Sequence, residues 1–321
     1  MQFLSRYGRT DWFGPLLVTI LAAIIVGSLS PSFLSAFNIQ VLLLAVAINA
    51  LVAYSQMIII AIGEMNLSVG AIGGLAAISF AGMMQVWHMP ILPAALLGIL
   101  IGLLGGIING VIISLTGISA FVITLASLSI YKGINLGITE AQPFYGIPNL
   151  VKHLGNAPFL GPLPWLIIPT AIVGFGLWLM LTRLPIGRCI LAVGGNRHAA
   201  ELSGISIRLT VIVAHALSGA IAALAGILLC ARLQIGQPTI GDDWLILSFA
   251  APVIGGAVLT GGHVSVGATT LGVVIVAIIT EALVLFNIDP FLVQVVLGVL
   301  ILWAVGINRL REFRLKPLRR A

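Results

Sequence analysis

Ten apolar runs, separated by short polar connections, set the pattern of the chain. They are Gly14–Ser30, Ile39–Ile62, Leu67–Val86, Pro90–Leu115, Ile118–Tyr131, Pro164–Thr182, Leu209–Ala231, Leu245–Leu259, Val264–Phe286 and Pro290–Ile307. A helix needs about 20 residues to cross the hydrocarbon core of a bilayer. Eight runs meet or approach that length. The fifth and eighth, at 14 and 15 residues, predict a tilted span, a broken helix or a re-entrant segment.

Composition agrees with a membrane solvent. Hydrophobic types make up 60% of the 321 residues and charged types only 7%, against about 25% charged in soluble domains. Mean hydropathy is +1.19. The 37 glycines suit helices whose backbones approach closely. The pattern predicts an all-α, polytopic fold of about ten transmembrane helices, one or two of them broken or short. Residues 1–321 then form a single transmembrane domain with a long external connection at 132–163 and a long internal one at 183–208. The first run is read as an uncleaved helix, because Pro31 follows Ser28 and Ser30 directly.

Fifteen Lys and Arg against nine Asp and Glu give a formal charge of +6. A nucleic-acid binder could share that balance, but here the basic residues collect at the ends of apolar runs, so no nucleic-acid partner is expected. With ten crossings and a cytoplasmic N-terminus, Arg6, Arg9, the four arginines between 183 and 208, and the six basic residues from Arg309 to Arg320 fall inside. Only Lys132, Lys152 and Arg232 fall at the outer side. That distribution obeys the positive-inside rule and places both termini in the cytoplasm. Failure of the fifth or eighth run alone to cross would put the basic C-terminus outside, whereas their joint failure is less well excluded.

Motifs for chemistry are missing. No lysine stands in a G-x-x-x-x-G-K-[ST] loop, and there is no His-Glu-x-x-His pair and no G-x-S-x-G elbow. Cys189 and Cys230 have neither metal nor disulfide spacing. The chain is expected not to be an enzyme, with no metal and no cofactor.

Three local patterns remain. Gly98, Gly102, Gly106 and Gly110 recur every four residues in the fourth run. They suit close helix packing, static or moving. Between the second and third runs, GEMNLSVG places Glu64, Asn66 and Ser68 beside two glycines that permit a helix break. It is either a polar turn at the membrane surface or part of a solute pathway. Asn49 and Gln56, seven apart, share one face of the second run. Together Asn49, Gln56, Glu64, Asn66 and Ser68 are the pathway candidates; hydrogen bonding between helices is the alternative. In the internal connection, Asn196 is placed to cap a short helix over 197–202 that stops near Gly204. Its alanines would let one side enter a groove on another protein.

These segments, in order, resemble the permeases of bacterial ABC importers for ribose, xylose, arabinose and related sugars. GEMNLSVG resembles the family's GEIDLSVG, with Asn66 in place of the usual Asp. Gly106–Ile134, Gly187–Ile205, Ala250–Gly267 and Gln294–Val305 resemble its further segments. The resemblance implies an inner-membrane permease subunit for a monosaccharide or similar solute. Autoinducers, nucleosides and branched-chain amino acids are the alternative solutes, and an ion-driven transporter is the alternative mechanism. It also implies separate ABC ATPase subunits, a periplasmic solute-binding protein and a second permease copy or paralogue. The coupling role falls on Gly194, Gly195, Asn196, Ala199, Ala200, Glu201 and Gly204.

Overall fold

The structure, a computed structural model, describes residues 12–289 and isolated positions from 292 to 306. Most of the tenth run and both termini lie outside that description. Helices account for almost all of it: α1 Phe13–Leu29, α2 Ala36–Ala61, α3 Val69–Val86, α4 Ile91–Thr116, α5 Ala120–Thr139, α6 Asn149–Asn156, α7 Ile167–Arg183, α8 Pro185–Gly195, α9 Arg197–Leu202, α10 Ile207–Leu233, α11 Trp244–Ile254 and α12 Val266–Leu285. A small antiparallel hairpin, β1 Pro158–Leu160 with β2 Leu163–Pro164, sits in the long connection. Among the described residues six helices are long and apolar enough to cross a membrane, and α7 with α8, bent by 72°, forms either a broken seventh span or a re-entrant loop.

Alternate connections collect on opposite faces. On one face the α2–α3, α4–α5, α8–α9 and α11–α12 connections surround a common cavity. On the other, Gln85 at the end of α3 accepts from the Gly146 amide, Phe144 bridges to Gly236, and Lys132 pairs with Asp242 at 2.9 Å. The chain therefore runs up and down from α2 to α12.

The two short runs resolve differently. The fifth becomes a 20-residue helix, α5, because its polar continuation has partners. Asn135 donates to the Pro238 carbonyl, and the Thr139 hydroxyl to the Asn135 carbonyl. The external connection thus begins after residue 139 rather than at 132. The eighth run forms only the 11-residue α11, with Pro252 inside it. Its rise of about 16 Å is half a bilayer core. The crossing is completed by irregular backbone with positive φ at Gly256, Gly261 and Gly262. Non-helical backbone is stable at such depth only where protein covers it. Here the Gly262 amide donates to the Ala61 carbonyl at 2.9 Å.

Helix α4 shows how the pattern selects its neighbours. The glycine stripe is where α10 packs. A β-carbon on Gly106 would overlap the His215 carbonyl, and one on Gly110 would lie 2.7 Å from the Ile212 Cα. Leu96, Leu100, Leu104 and Ile108, offset by two residues and so on the opposite face, are exposed by 43–59%, as a lipid-facing surface requires. Helices α2 and α10 form the interior. From Leu44 to Ala61, all of α2 is buried except Ala45 and Asn49.

Candidate functional site

The break between α2 and α3 is stabilised by side chains. Asn66 is fully buried. Its Oδ1 accepts from the Ser68 amide at 2.9 Å and the Ser68 hydroxyl at 2.7 Å, and its Nδ2 donates to Ser218 of α10 at 3.1 Å. Ser68 Oγ in turn accepts from Asn109 Nδ2 on α4 at 2.9 Å, and Asn109 Oδ1 accepts from Tyr131 of α5 at 3.2 Å. Ser55 of α2 donates to the Ser218 carbonyl at 2.9 Å. With its amide oriented to suit, Gln56 donates to the Asn66 carbonyl at 3.0 Å and accepts from its N–H at 3.2 Å. One polar chain thus joins α2, α3, α4, α5 and α10, satisfying the groups that a broken helix exposes.

Glu64 stands at the edge of this network. It forms an ion pair with Arg197 of α9 and meets His215 Nε2 of α10 at 3.1 Å. Burial pushes the Glu64 carboxyl upward, but His215 and Arg197 outweigh it and hold the group below the usual carboxylate value. His215 is fully buried, and among the described residues its Nδ1 has no partner. A proton on Nε2, donated to Glu64, leaves Nδ1 as a bare acceptor.

Three connections meet beside Glu64 through backbone alone. A β-carbon on Gly63 (φ +75°) would lie 2.7 Å from the Thr260 carbonyl oxygen. One on Gly261 would lie 2.6 Å from Gly63 N and 2.8 Å from Gly194 O. One on Gly194 would collide with the Ala61 carbonyl. Only glycine fits there, and the contact links the α8–α9 connection to both the α2–α3 break and the α11–α12 turn. The neighbouring cavity, about 600 Å³, is lined by Glu64, Ser119, Phe121, Asn196, Arg197 and others.

The short helix over 197–202 forms where the residues place it. Asn196 accepts from the Ala199 amide at 3.0 Å, and Gly204 follows the end with φ +80°. Its seven sequence-derived coupling residues divide. Gly195, Asn196, Ala199, Glu201 and Gly204 are exposed. Ala200, only 4% exposed, faces the interior of the bundle, and Gly194 packs on Ala61. Leu202, which the sequence reading did not single out, is 77% exposed. Its only sequence signal was an apolar residue in a polar loop.

The pathway candidates divide as well. Glu64 lines the cavity just described. Asn49 lines a second one, about 610 Å³, on the opposite face. Gln56, Asn66 and Ser68 line neither and are fully buried in the hydrogen-bond network.

A polytopic bundle with an irregular half-crossing and a capped helix standing outside the apolar spans is the architecture of a multi-pass membrane protein. The chain belongs to the family described as the permease component of branched-chain amino acid transport systems, which matches residues 38–305. It is 38% identical over 305 residues to the ribose import permease protein RbsC of Bacillus subtilis (strain 168), covering 94% of each chain. The D-allose transport system permease protein AlsC of Escherichia coli (strain K12) is 33% identical, with 94% of this chain and 92% of the relative covered. The L-arabinose transport system permease protein AraH of the same strain is 32% identical, with 95% and 93% covered. No solved structure matches the chain. The protein is a multi-pass inner-membrane permease subunit of the ABC transporter type.

Proposed function

We propose that the chain imports a monosaccharide or similar small polar solute as the membrane-spanning subunit of an ATP-driven complex, with both termini cytoplasmic. ATPase subunits bind the face that carries α9, a solute-binding protein delivers to the opposite face, and a second permease copy completes the pathway. ATP hydrolysis resides on the ATPase subunits. The long relatives named for ribose, allose and arabinose support the solute class.

One observation carries the mechanism. The α9 helix stands outside the spans yet is joined to them by the Glu64–Arg197 pair and the Gly63–Gly194–Gly261 backbone contact. A push on α9 from an ATPase reaches the α2–α3 break and the end of the irregular crossing together. Within one chain α2 is sealed between Asn49 and Ile62, so passage requires helices to part.

The test is reconstitution with the ATPase and the solute-binding protein in proteoliposomes. ATP-dependent uptake of D-ribose, D-allose or L-arabinose is expected. Uptake of none of them overturns the reading. Cysteines at Glu201 and Phe159 should react with impermeant reagent from the cytoplasmic and external sides respectively; the reverse overturns the orientation.

A further inference from the structure

The second cavity is built unlike the rest of the bundle. It lies between α2, the end of α10, the start of α11 and the later half of α12, and it opens on the face of Asp242. Its polar lining includes Asn49, Arg232, Asp242, Asp243, Thr280 and Glu281. Among the described residues, no hydrogen bond or ion pair engages the side chains of Asn49, Arg232, Asp243 or Glu281. Ionisable groups on membrane helices are costly and mark pathways or partners. Asn49, Arg232 and Glu281 are half-buried and Asp243 is exposed, so four unengaged polar groups line one space that remains open to one face.

The geometry of α2 points the same way. Asn49 lies near the midpoint of this 26-residue helix, the depth at which transporter sites form. The only residues of α2 between Leu44 and Ala61 that are not buried are Ala45 and Asn49, and both line this cavity. A volume of about 610 Å³ falls within the usual range for small-molecule sites.

The lining selects a class of ligand. An anion would meet Asp243 and Glu281; a cation would meet Arg232. A neutral polyol satisfies all of them, because each hydroxyl donates to a carboxylate and accepts from a guanidinium or amide. Its C–H faces can rest on Leu42, Ile48 and Ala277. We infer that this cavity is an outward-facing subsite for a monosaccharide or polyol, occupied after release from the binding protein and before the crossing. The inference rests on the importer reading above.

The test compares the parent with Asn49→Leu, which removes an amide at similar size, and Ala45→Phe, which fills the cavity from the apolar side. Each is reconstituted with the ATPase and binding protein. Radiolabelled D-ribose taken up per ATP hydrolysed is measured, with D-allose and L-arabinose as alternative probes if the parent prefers them. Size-exclusion profiles and melting temperatures identify any variant that fails to assemble; for such a variant Thr280→Val is substituted. The subsite requires sugar moved per ATP to fall by about tenfold in the assembled variants, the factor expected for a lost hydrogen bond. An unchanged ratio in both assembled variants overturns the subsite but leaves the importer reading intact. A parent that moves none of the sugars overturns both.

Discussion

The Glu64 carboxylate is paired with Arg197, which joins the break between α2 and α3 to a helix that stands outside the membrane spans. The same carboxylate holds His215 Nε2 at 3.1 Å. Replacement by Gln removes the charge from both partners and leaves buried His215 poorly matched. Loss of about 1–3 kcal/mol of stability is expected, together with less uptake per ATP. Because the folded carboxyl value is lowered from 4.5, the stabilisation is complete above that value and disappears as pH falls through the lowered one. Melting curves of parent and Glu64→Gln should therefore differ at neutral pH and converge in acid. A difference that persists in acid would assign the effect to packing instead.

Gly194→Ala tests the backbone junction. The added carbon would collide with the Ala61 carbonyl and lie 2.5 Å from the Gly262 amide. Overpacking of this kind costs about 1–3 kcal/mol. Gly176→Ala, where nothing lies within 4 Å of the new carbon, should melt as the parent does. Equal melting of the two variants would show that the junction yields.

Docking of α9 should depend on Leu202 rather than Ala200. Leu202 is 77% exposed and Ala200 only 4%, so a bulky residue at 200 damages the permease itself. Leu202→Ser should leave the melting temperature unchanged and weaken ATPase binding by about 10- to 100-fold, the range for burying one leucine side chain. Titration of labelled ATPase against permease in nanodiscs measures it. Undiminished affinity would place the contact elsewhere.

Asn66→Ala should be among the most destabilising single changes. It leaves the Ser68 and Ser218 hydroxyls with fewer partners in a fully buried site, at about 1–3 kcal/mol. Asn66→Asp keeps the acceptor for Ser68 but loses the donation to Ser218, so an intermediate loss is expected. Thermal melts in detergent rank the three proteins, and an unchanged Asn66→Ala would mean water replaces the amide.

Several features follow from the sequence alone, because they depend on local physical chemistry. Apolar length against bilayer thickness defined the runs from Ile39–Ile62 to Val264–Phe286. The four-residue glycine period marked the face of α4 that another helix approaches. Asn196 and Gly204 bounded α9, because caps and left-handed stops act within a few residues. Only tertiary structure decided the rest. Whether Ile118–Tyr131 continued to Thr139 depended on the carbonyl of Pro238, 103 residues from Asn135, and no local propensity encodes that partner. The eighth run could remain a half-length helix because Ala61 and Gly194 cover its irregular end. Asn49, Gln56, Glu64, Asn66 and Ser68 looked alike as polar residues around a break. Packing separated them: Gln56, Asn66 and Ser68 found partners on other helices, whereas Asn49 and Glu64 face cavities on opposite sides. A side chain's polarity is written in the sequence, but whether it meets a protein partner or an open space depends on which helices pack beside it.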